Sequence, residues 1–110
     1  MIFRWKDAEL DKQSRIDLLP LGVLLEVGQV ARMGAEKYGE RNIDTAVLKG
    51  LVNNGSFLGA ALRHIIAWSE REDIDKESGL SHIVHAIWNL MMLAKFNKSG
   101  LIKDDRSEIT

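Results

Sequence analysis

His85 and Asn89 stand inside a run that is otherwise almost wholly apolar, from Ile83 to Phe96, and His82 immediately precedes it. On a helix turning about 100° per residue, these three side chains fall within roughly 60° of one another. Ile83, Ile87, Leu90, Met91 and Leu93 occupy the remaining circumference. A helix that is apolar nearly all round belongs in a core or at an interface. Polar groups buried there need partners, which are other side chains, a metal or a ligand. Imidazole suits all three: it titrates near neutrality, moves protons and binds metals.

Three other features bear on that polar strip. Glu26 lies at the edge of an apolar helical stripe, and alone it reads as a solvated boundary carboxylate. His64 shares a face with Ala60, Trp68 and Arg71, and alone it reads as a hydrogen-bonded core histidine. The segment Glu70–Gly79 holds five acidic residues, among them Asp73, Asp75 and Glu77, and by itself reads as a solvated connector. Taken together they admit a sharper reading. Two histidines at i and i+3 can share one metal ion, and carboxylates a turn away can complete an oxygen-rich site for magnesium or manganese. On that reading Glu26, His64, His82 and His85 converge on one cleft, with Asp73, Asp75 or Glu77 at its mouth. Glu26, Asp73, Asp75, Glu77, His82 and His85 are then the candidate metal ligands.

Several chemistries are disfavoured. The chain has no cysteine, so neither a thiolate metal site nor a disulfide is available. Fifteen basic against 16 acidic residues, a net charge of -1, argue against a nucleic-acid surface. The residues after Met1 lack the apolar core of a signal peptide, and no apolar run reaches a membrane span; a cytoplasmic protein is the expectation. There is no His-Glu-x-x-His, no Gly-rich phosphate loop ending in Lys-Ser or Lys-Thr, and no nucleophile elbow.

The elements that must position these residues read as all-α. At 110 residues the chain is one domain: a polar extended arm over 1–20, a helical core over 21–97 and a polar, fraying tail over 98–110. Val23, Leu24, Val27, Val30, Ala31, Gly34 and Tyr38 share one face of a helix that Gly39 ends. Asp44 caps a short helix to Lys49, Ser56 caps a helix from Phe57 to about Glu70, and Ser78 or Ser81 caps the central helix. Three main helices of this size leave apolar surface uncovered, which predicts a homodimer or homotetramer with at least two of Trp88, Met91, Met92 and Phe96 at the contact. Leu18 and Leu19 of the arm are expected to dock on the helices.

A resemblance sharpens the functional expectation. The segments Arg15–Pro20, Leu24–Val27, Gly34–Asn42, Ala60–His64 with Trp68, and Glu72–Ala86 followed by Asn89 occur in this order. Over about residues 13–96 the chain resembles the small dATP/dGTP diphosphohydrolase-like proteins of bacteriophages and prophages. That family is in turn similar to the MazG-like all-α nucleotide pyrophosphohydrolases. The resemblance implies a MazG-like helical bundle and magnesium- or manganese-dependent cleavage of purine deoxynucleoside triphosphates to monophosphate and pyrophosphate. The wider superfamily carries Glu-Glu-x-x-Glu on one metal-binding helix and Glu-x-x-Asp on another. Here the first aligns with Leu25-Glu26-Val27-Gly28-Gln29, keeping only Glu26, and the second with His82-Ile83-Val84-His85.

For such a substrate Lys37, Arg41 and Arg63 are candidate phosphate ligands, and His64 or His85 a candidate proton-transfer group. Tyr38 or Trp68 is a candidate base-stacking residue, and Asn42 and Asn89 complete the substrate-binding set. The alternative on the same scaffold is a non-catalytic nucleotide-binding or regulatory protein. A third reading is a structural helical oligomer whose histidines satisfy one another.

Overall fold

The computed structural model describes residues 14–106, so residues 1–13 of the expected arm and 107–110 of the expected tail lie outside it. Four α-helices follow a short 3-10 turn at Ile16–Leu18: α1 (Leu21–Tyr38), α2 (Asn42–Leu48), α3 (Asn54–Ser69) and α4 (His82–Ser99). The described residues form no strand, only isolated bridges between Asn53 and Lys103 and between Ile74 and Ser81. The all-α expectation holds.

The helix ends follow from local chemistry. Gly39 closes α1 at φ 97, in a region where a Cβ would be strained, and its N–H bonds to the Ala35 carbonyl. The cap of α3 is Asn53 and not Ser56: Asn53 Oδ1 accepts from the Ser56 N–H at 3.0 Å, and Ser56 Oγ accepts from the Asn53 N–H at 3.1 Å. This reciprocal capping box starts the helix at Asn54, two residues before the serine. Asp44 does not cap α2, which starts at Asn42. It lies in the first turn, with Oδ1 3.1 Å from Lys95 Nζ and Oδ2 3.6 Å from Arg41. Ser81 caps α4, accepting from the Val84 N–H at 3.3 Å.

Helices α3 and α4 run antiparallel, since Phe57 stacks on Phe96 at one end and His64 meets His82 and His85 at the other. The phenyl end joins Val47 of α2 and Ile102 in one buried cluster, with Ile43, Val52, Met92 and Leu93 against it. A second cluster packs Val27 and Val30 of α1 on Val84 of α4. Helix α1 thereby packs on the Val84, Ile87 and Trp88 face of α4, while His82 and His85 face His64 of α3.

Three expectations about the chain's ends and contacts change. The segment after Gly100 does not fray: Ile102 is buried, Asn54 Nδ2 donates to Asp104 Oδ1 at 3.0 Å, and the Gly55 N–H donates to Asp105 Oδ1 at 3.0 Å. Its carboxylates sit over the free N–H groups of the α3 N-terminus, where negative charge is favoured. Leu18 and Leu19 do not dock, being 69% and 49% exposed. Phe96, offered as a contact residue between subunits, is used up inside the chain at 3% exposure. The uncovered apolar residues lie elsewhere: Leu21, Leu24 and Leu25 on α1, Leu58, Leu62, Ile65 and Ile66 on α3, and Leu90 and Met91 on α4.

Candidate functional site: a histidine cluster beside a cavity

The antiparallel pairing brings His64 of α3 against the first turn of α4. His64 Nδ1 lies 2.8 Å from His82 Nδ1, and the His64 ring stacks on that of His85 at 4.5 Å between centroids and 8° between planes. His82 and His85 are buried, at 5% and 6% exposure, while His64 is half-buried. The three imidazoles form one cluster.

The connector between α3 and α4 supplies their partners. Arg71 and Gly79, both at φ 75, turn the chain back on itself. Backbone bonds then close it: Asp75 N–H to Leu80 O, Gly79 N–H to Asp75 O and His82 N–H to Asp73 O. This places Glu72 Oε2 3.1 Å from His82 Nε2, and Ser78 Oγ 2.7 Å from His85 Nε2. Ser78 in turn lies 2.8 Å from Asp75 Oδ2, which is itself 3.5 Å from His85 Nε2. Two chains of polar groups result, Glu72–His82–His64 and Asp75–Ser78–His85, held side by side by the imidazole stack.

The electrostatics favour neutral rings for two of the three. Burial, followed by the neighbouring His85 and His82, holds His64 below the usual imidazole range. Burial also depresses His85, against the opposing pull of Asp75. For Asp75 burial acts upward, but the Ser78 hydroxyl, the Glu77 N–H and His85 outweigh it, so its carboxyl stays below the usual range. An ionised Asp75 beside a neutral His85 is the resting state near neutrality.

His85 also lines a cavity of about 380 Å³ between α1, α2 and α4. Apolar residues of α1 (Val30, Ala31, Met33, Gly34) and Met92 of α4 form much of its wall, with the rings of Tyr38 and Trp88. Arg41, Asp44 and Lys95 also line it, two cations around one carboxylate. Asn89, 7% exposed, lies one turn beyond His85 and donates from Nδ2 to the His85 carbonyl at 3.0 Å. That bond fixes the amide orientation, because the flipped amide would set two oxygens together, and it leaves Oδ1 without a partner.

The expected site residues divide accordingly. His64, His82 and His85 come together, and Tyr38, Arg41, Asn42, His85 and Asn89 line the cavity. Glu26 does not join them; it is exposed, with no hydrogen bond or ion pair among the described residues. Glu26 flanks the Val27–Val30 face that α1 turns toward α4, and there it stays exposed. Asp73 contributes its backbone carbonyl, and Glu77 pairs with Lys37 Nζ at 2.7 Å. That pairing, followed by a contact with Tyr38, raises the Lys37 pKa. Arg63 and Trp68 are exposed on α3 and line no part of the cavity.

Glu72 and Ser78 were not singled out as site residues. No helical spacing relates Glu72 to His82, and only the loop closure joins them. Asp75-x-x-Ser78 is a local turn pattern that does point to a side-chain hydrogen bond.

The fit of a divalent ion can be judged from the donors. Among the described residues, no group of three or more His, Asp or Glu side chains is arranged to hold a metal ion. The carboxylates nearest the cluster are each engaged with an imidazole, and the proposed cage of six is not assembled. The described residues as arranged therefore do not fit a dedicated metal cage.

Fold and site together define an all-helical protein with a polar cluster built into a helical hairpin and a ligand-sized cavity beside it. Comparison with known proteins gives the family. Residues 5–106 match the family described as dATP/dGTP diphosphohydrolase, N-terminal, and the chain belongs to that family. It is 32% identical over 81 residues to a protein of Salmonella phage PMBT28 named dATP/dGTP diphosphohydrolase. The match takes in 74% of this chain and 26% of that protein, so the chain spans about a quarter of its relative's length. No solved structure matches the chain.

Proposed function

We propose that this chain is a nucleotide pyrophosphohydrolase that cleaves purine deoxynucleoside triphosphates, dATP and dGTP, to monophosphate and pyrophosphate. The observation that carries the reading is the double membership of His85, which belongs to the imidazole cluster and also to the wall of the cavity. A cavity of about 380 Å³ lies within the range of small-molecule sites. Its apolar and aromatic walls suit a base and sugar, and Arg41 and Lys95 suit phosphate oxygens. The family name and the phage relative's name supply the substrate.

In this reading magnesium or manganese arrives as the metal complex of the nucleotide. Magnesium keeps several waters and needs only one or two carboxylates besides substrate phosphates, so a missing protein cage is no obstacle. The protein side of the work is positioning. The cavity holds the nucleoside, the cations orient the phosphates, and the neutral imidazoles of His85 and His64 accept hydrogen bonds or a proton from water.

The uncovered apolar residues of α1, α3 and α4 support a homodimer or homotetramer. No described helix is long and apolar enough to cross a membrane. A cytoplasmic nucleotide pool would be the substrate source. The test is purified protein against a nucleotide panel with magnesium or manganese, reading pyrophosphate and monophosphate in equal amounts. Orthophosphate release, or no turnover with any purine triphosphate, would sink the reading.

A second reading has its own observation. With Glu26 exposed and no acidic group of three among the described residues, the chain can bind a nucleotide without cleaving it. Thermal stabilisation by dATP or dGTP without pyrophosphate release would select it.

A further inference from the structure

Ser78 Oγ has three polar neighbours and only one proton to give. It lies 2.8 Å from Asp75 Oδ2, 2.7 Å from His85 Nε2 and 3.2 Å from the Leu80 nitrogen. A hydroxyl offers one donor and two acceptor positions. The Leu80 N–H donates into one acceptor position. Asp75, ionised, can only accept, so the serine proton must point to it; otherwise two oxygens would face each other at 2.8 Å with no hydrogen between them. The second acceptor position is left for His85, and His85 Nε2 must therefore carry a hydrogen. All three positions of the hydroxyl are then used.

We infer that Ser78, held by Asp75, is a positioning residue that locks His85, a residue of the cavity lining, in the Nε2–H tautomer and so leaves its Nδ1 lone pair as a fixed acceptor. His85 Nδ1 has no hydrogen-bond partner. The one fully buried side-chain polar atom without a partner among the described residues is Asn54 Oδ1, so Nδ1 keeps some access from outside the fold. Its ring is pinned from two directions, by the stacked His64 on one face and by the Ser78 bond at Nε2. Asn89 Oδ1, one turn along α4, is a second acceptor fixed in the same way by the bond from its amide to the His85 carbonyl.

A group that meets these two acceptors must therefore donate: a water to be oriented, or a ligand edge bearing N–H or O–H groups. A bare anion set against these two atoms would meet lone pairs and no hydrogen. This separates the work of the wall from that of Arg41 and Lys95, which are the groups fit for anionic oxygens.

The inference rests on the cavity being the ligand site, but its test reads the imidazole in the free protein. It thus stands or falls separately from nucleotide turnover. Long-range proton–nitrogen correlation spectra of the wild-type chain at pH 7.5 report which ring nitrogen of His85 is protonated. The expected result is Nε2 with the shift of a protonated nitrogen and Nδ1 with that of an unprotonated one. Ser78→Ala should lose the single tautomer and move both nitrogens toward an averaged position, while Ser78→Thr, which keeps the hydroxyl, should retain it. A wild-type His85 protonated on Nδ1, alone or with Nε2, would overturn the inference even if neither variant folds. An unchanged His85 spectrum in folded Ser78→Ala would do the same for the role of Ser78.

Discussion

The two ends of the α3–α4 hairpin are built from the same helices, yet one is filled with phenyl rings and the other with imidazoles. At the phenyl end Phe57 and Phe96 lie 6.1 Å apart and 11° from parallel, each 3% exposed. At the other end His64 and His85 stack at 4.5 Å and 8°. The phenyl end needs nothing more than apolar neighbours, which Val47 and Ile102 provide. The imidazole end needs hydrogen-bond partners for every ring, and the connector supplies Glu72, Asp75 and Ser78. A hairpin selected for stability alone would do better with two phenyl ends, since buried polar networks repay their desolvation only when fully satisfied. The histidine end leaves His85 Nδ1 and Asn89 Oδ1 without hydrogen-bond partners, which stability alone would not favour.

The contrast can be broken most severely at the phenyl end. Phe96→Ala removes a ring packed on Phe57 and should cost about 3–5 kcal/mol, a large part of a small domain's stability. Denaturant unfolding measures this, and the histidine cluster should lose its order only with the whole fold. An Ile102→Ala exchange tests whether the segment beyond Gly100 belongs to the same core. It should cost about 2 kcal/mol or more; a change near zero would mean the segment is not docked in solution.

At the imidazole end the expected stability effects are smaller and the functional ones larger. Glu72→Gln keeps a hydrogen-bonding group beside His82 but removes the charge. It should lower stability by about 1 kcal/mol while reducing turnover at least tenfold, if Glu72 anchors the His82–His64 chain. Equal turnover by wild type and variant would reduce Glu72 to a packing partner.

Acidification should also act selectively on this end. His64 and His85 are held below the usual imidazole range, so the unfolded chain takes up protons first as pH falls. Their contribution to stability is complete above about pH 6.5 and is lost as pH drops from there through the folded values. Asp75, also depressed, contributes above the usual carboxylate range of about pH 4 and is lost below it. The melting temperature should therefore decline between pH 7.5 and 5, and His85→Gln should flatten the decline. A melting temperature that rose on acidification would contradict the neutral state of the rings.

The smallest effects are expected from Arg63 and Trp68. Both are exposed on α3 outside the cavity, and their alanine variants should change nucleotide affinity less than twofold, within about 0.4 kcal/mol.

These contrasts also show what sequence periodicity carries. The helix Leu21–Tyr38, its stop at Gly39 and the burial of Val27 and Val30 follow from spacing along one helix. So does the common face of His82, His85 and Asn89, because all three lie on α4. Glu26 and Trp68 were placed wrongly relative to the site for one reason. An apolar stripe shows which face of a helix is sticky, and here much of the sticky face of α1 and α3 is left uncovered within the chain. Glu72 and Ser78 were beyond reach because loop closure, with Arg71 and Gly79 at positive φ, brings them to the histidines. Ile102 was hidden by its setting, a short Leu101-Ile102 pair between Ser99-Gly100 and the charged run Lys103, Asp104, Asp105 and Arg106.

The central claim is that a nucleotide occupies the cavity beside His85, and the tryptophan indoles read it directly. Trp88 lines the cavity and Trp68 does not. In a titration with dGTP or dATP in the presence of magnesium, followed by indole N–H resonances, the Trp88 signal should shift in step with binding while that of Trp68 stays in place. A shift of Trp68 with Trp88 unmoved would put the nucleotide on the outer face of α3 and contradict the account.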